Sequence, residues 1–434
     1  MGPATQDVPP AAPQEPSHRM PATRGPIEDS SLGGSQADRT LSQLVVNIVS
    51  NEEDLARVEP EWVALEHLCG NTLPFRTAAW TLAWWTHLRR ECSAVRDSLA
   101  LRTLRTQGGV LVGVAPLMLT ERPGAGFFRT RCLQFIGADP NITELRGALW
   151  EKRYEEACFQ ALRDDVIRRA RGWDWMVWSG VPANSSASAI LDGGVTWRPT
   201  TPYYTLSLGG DWRTFKSALG RNIKESLRKC YNSLNREGLR PSLGVVTRPA
   251  DVGGALQEFF RMHGERSMAT MGVGHPNVFA QPNARAFLVD VCERLARRDQ
   301  LRIFQLHVGG GIVATRIGFA MGGSLYLYYS GYERDFGKYS VMTTLLSEVI
   351  QYGFLAGLKS VNLSTGNDVS KTRWGPREWL EYAGETRSTR PRGRLAHAVH
   401  QLVAKAPHSR EVRKFAVGLL SRERLTEAPS AEPA

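Results

Sequence analysis

The residues best equipped for chemistry gather between Leu325 and Trp374. Four phenols, Tyr326, Tyr328, Tyr329 and Tyr332, lie in an apolar and aromatic run over 325–332 that reads as a buried strand. A polar loop with Glu333, Arg334, Asp335 and Lys338 follows. Ser340 is of N-cap type. Val341, Leu345, Val349 and Ile350 recur at helical spacing up to Phe354, and Gly357 is the stop. A short strand over 360–363 then enters a second polar loop carrying Asp368 and Lys371. Such a unit can bind an anion at the helix start, through free N–H groups, and can present reactive groups at strand ends. Many α/β proteins have as much, so the spacing alone goes no further.

The elements that position these groups belong to a long chain. At 434 residues it exceeds one ordinary domain of ~150 residues, and two or three are expected. It is 42% hydrophobic, enough for real cores, and its formal charge is +11. Six cysteines (Cys69, Cys92, Cys132, Cys158, Cys230 and Cys292) form no C-x-x-C pair, which argues against a zinc site or a disulfide framework and for a reducing compartment. No apolar run reaches the ~18 residues of a membrane span. The N-terminus shows no signal-peptide core, and Gln6 stands where myristoylation needs Ser or Thr.

Residues 1–40 are rich in Pro, Ala, Ser, Gln and Gly and read as a disordered leader. A strand is expected over 44–49, a helix over 54–69 and another over 75–88 with Trp80, Trp84 and Trp85, an aromatic group better suited to a core than to a cofactor. Residues 99–118 read as strand, glycine turn, strand, and 301–320 repeat that layout about 200 residues later. Helices precede each hairpin, and a strand and a helix follow it. The chain therefore reads as two copies of one mixed α/β domain, over 41–205 and 206–385.

Between the hairpins lies a helix over 221–234. Ile223, Leu227, Cys230, Tyr231 and Leu234 share one face, and Arg221, Lys224, Arg228, Lys229 and Arg236 share the other. The basic face suits a phosphate-rich ligand, or is simply solvated. The final segment, 386–434, holds ten Lys and Arg against four Asp and Glu, with Arg387, Arg390, Arg392 and Arg394 close together and a short amphipathic helix after Ser409. This tail fits an anionic membrane surface, an anionic nucleotide or polymer, or packing on the domain. Net charge is the sole feature pointing to nucleic acid, and no recognised motif supports it. His263, His275 and His307 lack metal spacing and are taken as structural.

Four motifs in order resemble the CelD/BcsL-type acetyltransferases, a branch of the GNAT superfamily associated with bacterial polysaccharide production. They are Pro74-Phe75 through Trp80 to Trp84-Trp85; Arg221-Asn222-Ile223 with Arg228 and 234–238; Tyr329-Ser330-Gly331-Tyr332-Glu333; and Lys371-Thr372-Arg373-Trp374. The resemblance spans roughly residues 44–385. It implies two tandem GNAT-like domains, similar to the Fem aminoacyltransferases, each with a mixed, mostly antiparallel sheet flanked by helices.

The activity implied is transfer of an acyl group, typically acetyl from acetyl-coenzyme A, to an amine or hydroxyl of a sugar, with no metal. By the same resemblance the donor's pantetheine lies along the strand holding Tyr328, and its pyrophosphate meets the helix start at Ser340, Val341, Met342 and Thr343. Relatives place a glycine-rich turn there, whereas this chain has Ser340-Val341. Attack on the thioester needs a base and a group that steadies the oxyanion. Glu333 is the first candidate base and Asp368 its competitor. Lys371 steadies charge on the carbonyl or grips a substrate phosphate, and Tyr329 or Tyr332 is placed to protonate the leaving thiolate. Arg221, Lys224, Arg228 and Trp374 hold the acceptor, a sugar-nucleotide, lipid-linked sugar or polysaccharide. The expected location is cytoplasmic, with the basic tail as a peripheral contact to the inner face of the membrane. Two alternatives stay open: Fem-like aminoacyl transfer from charged tRNA, and a non-catalytic binding module of a polysaccharide assembly. The first half lacks the G-Y-acidic and K-x-x-W groups and is expected to be silent.

Overall fold

A computed structural model describes residues 44–124, 129–139, 141–169, 171–182, 195–267 and 276–405. The leader, His275 and the helix expected after Ser409 lie outside these residues. In chain order the first half runs β1 (Val45–Val49), α1 (Glu52–Leu68), α2 (Ala78–Leu88), β2 (Arg96–Leu99), β3 (Leu101–Arg105), β4 (Leu111–Ala115), β5 (Leu117–Pro123), β6 (Arg129–Phe135), β7 (Leu149–Trp150), α3 (Glu155–Arg168), β8 (Trp175–Pro182), β9 (Val195–Pro199) and β10 (Tyr203–Ser207). The second runs α4 (Trp212–Ala218), α5 (Arg221–Arg236), β11 (Ser242–Val246), α6 (Pro249–Ser267), α7 (Pro282–Ala296), β12 (Leu301–Val308), β13 (Gly311–Met321), β14 (Ser324–Tyr332), α8 (Val341–Leu355), β15 (Ser360–Thr365), α9 (Val369–Thr372), β16 (Arg377–Trp379), β17 (Glu381–Arg387) and α10 (Pro391–Lys405).

The fold is mixed α/β, as expected. Local chemistry starts the helices where the sequence suggests. Asn51 accepts the Asp54 N–H at 2.8 Å to cap α1, and Thr77 accepts the Trp80 N–H at 3.1 Å to cap α2. The second-half sheet has the order β11-β12-β13-β14-β15-β10-β16. The first half builds the same order in two pieces, because Ala100 and Pro116 interrupt both arms of its long hairpin: β1-β3-β4-β7 on one side of the break, β2-β5-β6-β8-β17-β9 on the other. Each half contains one parallel pair, β6 with β8 and β14 with β15, and the other pairings are antiparallel.

One feature crosses the expected boundaries at 205 and 385. β10, the last strand of the first half, pairs with β15 and β16 of the second-half sheet. β17, in the corresponding place of the second half, pairs with β8 and β9 of the first-half sheet. The halves thus exchange their last strands. Residues 386–405 also continue β17 into α10, whose Ala396 is buried with Cys132 and Trp175 of the first half.

The main core is shared too. Trp62, Trp80 and Trp84 from α1 and α2 pack with Phe259 and Phe287 from α6 and α7 and with Phe319, Tyr326 and Tyr328 from the second-half sheet. Burying each such ring is worth ~2–3 kcal/mol, so the aromatic group acts as core. A buried ion pair, Arg76 with Glu381 at 2.5 Å, also joins the halves. Among the described residues no helix is long and apolar enough to cross a membrane, and no group of three His, Cys, Asp or Glu is placed to hold a metal. The six cysteines are free thiols.

Candidate active site

The site begins where two parallel strands part. β14 and β15 pair only at Ser324↔Ser360, Leu325↔Val361 and Tyr326↔Asn362. Beyond that point each strand is paired on its outer side alone, β14 with β13 and β15 with β10. A bulge accompanies the parting. The β13–β14 register slips between Gly318↔Leu327 and Arg316↔Ser330, so Tyr328 and Tyr329 together stand opposite Ile317. A bulge bends its strand and raises its twist, which turns β14 away from β15 and leaves two backbone edges facing a gap.

A loop from the first half lines that gap. The Tyr328 hydroxyl donates to the Ile142 carbonyl at 2.5 Å, and the Tyr329 hydroxyl donates to the Asn141 carbonyl at 2.6 Å. Asp139 shapes the loop by accepting the N–H groups of Ile142 at 2.5 Å and Thr143 at 2.9 Å and the indole of Trp84 at 2.9 Å. Glu144 then accepts the hydroxyls of Tyr326 and, at 2.7 Å, Ser364. Burial pushes its carboxyl above the ordinary range, against the opposing pull of Tyr326, Ser364, Lys371 and the Thr365 N–H. No motif marked Glu144 in the sequence.

Lys371, on α9, reaches back to the Thr365 carbonyl and lies 3.3 Å from the Asp368 carboxylate. Burial lowers the Lys371 amine, Asp368 raises it, and Arg316 lowers it further. Asp368 responds the other way. Burial raises its carboxyl, but hydrogen bonding from Ser370 and the charge of Lys371 hold it below its ordinary value. Asp368, Lys371, Glu144 and Arg316 therefore feel one another's charge at the end of the gap.

Glu333 is placed elsewhere. It is paired with Arg261 on α6, and the same guanidinium holds Glu258 at 2.9 Å and Glu265 at 3.2 Å. Among the described residues no bond joins Glu333 to Lys371, Asp368 or Glu144. Glu333 is thus an ion-pair partner of Arg261, away from the Glu144–Lys371 cluster. Tyr329 and Tyr328 also have engaged hydroxyls, and burial raises both phenols above their ordinary range.

Eight residues separate the end of β14 from the start of α8. Ser340 does not cap it with its side chain; it adopts a left-handed conformation, φ 55°. Glycine is the usual residue for such a turn, so the sharp bend survives without the expected glycines. Val341 is buried, Met342 is half-buried, and Thr343 accepts Arg373 Nη2 at 2.7 Å. Arg373 Nη1 also reaches Ser226 of α5 at 3.4 Å. An arginine beside free N–H groups of a first turn makes a basic corner. Arg373 stood between the two marked residues of its motif.

The basic face of α5 looks outward. Ile223, Leu227, Cys230 and Leu234 are buried, as the periodicity predicts. Arg221, with its side chain 89% exposed, pairs with Glu225, Lys224 donates to the Ser217 carbonyl at 2.6 Å, and Arg228 is exposed. None of the three reaches the Glu144–Lys371 cluster by a bond among the described residues. Trp374 is 2% exposed within the second-half core with Val341 and Leu345, so it supports the site from behind. His263 is buried, stacked on Phe259, with Nδ1 3.2 Å from the Ser330 carbonyl.

Comparison with known proteins adds the following. Residues 221–374, about a third of the chain, match the family described as acetyltransferase (GNAT) domain. No curated protein matches the sequence. Among solved structures, FemX is 10% identical, with 78% of this chain and 96% of that chain covered at a TM-score of 0.49. L-PGS from Bacillus licheniformis is 14% identical, with 71% and 90% covered at 0.41. A tandem GNAT protein from the clavulanic acid biosynthesis pathway is 12% identical, with 79% and 98% covered at 0.37.

Proposed function

We propose that the chain is an acyltransferase of the CelD/BcsL type, moving an acyl group, acetyl first, from acyl-coenzyme A to an amine or hydroxyl of a sugar or polysaccharide precursor. The observation that carries this reading is the parting of β14 and β15 beside the start of α8, inside the stretch that matches a GNAT domain. Beyond Tyr326 and Asn362 the facing strand edges have no partner strand among the described residues, so an extended chain with amide groups can pair with them as an added strand would. The basic corner at Thr343 and Arg373 suits the pyrophosphate at the far end of such a donor.

In this reading Glu144 is the base. A raised carboxyl is a better proton acceptor near neutrality than the depressed Asp368. The acceptor's nitrogen or oxygen attacks the thioester carbon and its proton passes to Glu144. The new C–N or C–O bond forms, the C–S bond breaks, and the thiolate leaves as coenzyme A and takes a proton from solvent. Lys371 steadies the oxyanion of the tetrahedral intermediate.

Calorimetric titration with acetyl-coenzyme A tests the donor. Micromolar binding (about −8 kcal/mol) that Thr343→Glu abolishes is the expected result. Absence of binding to acetyl-, succinyl- and longer acyl-coenzyme A overturns it.

A further inference from the structure

Arg316 has no role in the reading above, and its environment is unusual. It lies on β13 opposite Ser330 of β14, at the bulge where the gap opens. Its Nε is sealed from solvent without a hydrogen-bond partner, and among the described residues no hydrogen bond or ion pair engages its guanidinium. Arg316 is half-buried, and sealing its Nε from water without a partner is costly. Burial is the main cause that lowers Arg316 to about 10, and the neighbouring Arg266 adds to it. Arg266 donates to the same Ser330, through Nη1 to Oγ at 3.3 Å, and lies over the Tyr332 ring. Lys371 completes a group of three cations.

The carboxylates nearby are already committed. Glu144 accepts Tyr326 and Ser364, and Asp368 accepts Ser370 and faces Lys371. Among the described residues, no carboxylate is therefore committed to the Arg316 guanidinium. The basic corner at Arg373 is a different place, bonded to Thr343 and Ser226. Building on the acyltransferase reading, we infer that Arg316, with Arg266 and Lys371 beside it, binds an oxyanion carried by the acceptor, a carboxylate or a phosphate on the sugar. The planar fork of a guanidinium suits both by paired N–H donors, which a neutral sugar does not offer a match for.

The test compares glucuronate, glucose 1-phosphate and the neutral methyl glucoside as probes of the full chain, by calorimetry and thermal shift. The wild type should bind one or both anionic sugars at least tenfold more tightly than the glucoside, and which one binds tells carboxylate from phosphate. Arg316→Met should lose that preference while melting no lower than the wild type, because it removes an unpaired charge at similar length. Arg316→Gln serves the same purpose if the Met variant does not fold. A wild type without preference for anionic sugars, or substituted proteins that keep it, overturns the inference. Acetyl-coenzyme A titrated in parallel separates the two readings. A preference that depends on Arg316 in a protein that ignores acetyl-coenzyme A leaves the oxyanion site standing and removes the donor.

Discussion

The two halves carry the same ladder and treat its parallel pair in opposite ways. In the first half β6 and β8 pair over Cys132–Gln134 and Trp175–Val177, and β6 stops at Phe135. The chain then folds back, and Arg146 and Gly147 press against Gly180 of β8. Gly180 has φ 71°, and a Cβ there would meet the Arg146 carbonyl oxygen at 2.2 Å. The gap beside β8 is closed by the half's own backbone. In the second half β14 passes through a short turn, Glu333–Ser340, directly into α8, and the corresponding gap is lined by the first-half loop. One insertion therefore does two things: it plugs one copy and supplies Glu144 to the other. A loop of the first half is thus part of the wall of the second-half gap.

The sharpest way to break this comparison is to disturb the plug. Gly180→Val combines a β-branched side chain at positive φ with a backbone collision, and should cost more than about 3 kcal/mol in urea unfolding. A cost under about 1 kcal/mol would mean that the first-half gap has room, and the contrast fails. Glu144→Gln comes next. Thiol release from acetyl-coenzyme A should fall by about 100-fold or more with the fold intact by circular dichroism. Undiminished turnover moves the base back to the second half's own residues.

A third experiment probes the joint between the halves. Glu66 of α1 accepts the Ala78 N–H at 2.7 Å and lies 3.8 Å from Arg298, just after α7. Burial raises its carboxyl from the usual 4.5 to about 7. The folded chain then holds a proton that the unfolded chain releases. The stability from this group is complete below 4.5 and is lost as pH rises toward 7. Glu66→Gln should therefore unfold with about the same midpoint as wild type at pH 4 and be more stable by roughly 1–3 kcal/mol at pH 8. A difference that does not change with pH would show that Glu66 is charged in the fold. The smallest effect belongs to Glu333→Ala. Its partly exposed pair with Arg261 should be worth ~0.2–1 kcal/mol, and turnover should change by no more than about twofold. A loss like that of Glu144→Gln would return Glu333 to the chemistry.

What the sequence revealed, and what it hid, divides by range. The glycine hairpins at 99–118 and 301–320, the strand over 325–332, the buried face of α5 and the helix at Val341 all rest on local periodicity, and each was legible. β10 and β17 look like ordinary strands, and nothing local says that each pairs across the molecule, with partners at 360–365 and 175–182. Glu144 hid for a related reason. It lies outside every motif, and its unusual carboxyl comes from burial against Tyr326 and Ser364, about 180 and 220 residues away. Glu333 and Trp374 misled because a motif marks a neighbourhood without saying which side chain faces the gap. Trp374 turned to the core, and Glu333 to Arg261.

The exchanged strands also govern how the chain can be made. As it leaves the ribosome, the first half reaches Pro199 with β8 and β9 but without β17, the strand that must lie between them. That place stays vacant until residue 387 has been synthesised, so an early exposed edge must wait for nearly the entire described chain. Pairings of such long sequence separation slow folding, and an open edge invites association with other chains. Neither half should be obtainable alone as a well-behaved monomer, and a gene split between β9 and β10 should regain solubility when the two fragments are expressed together.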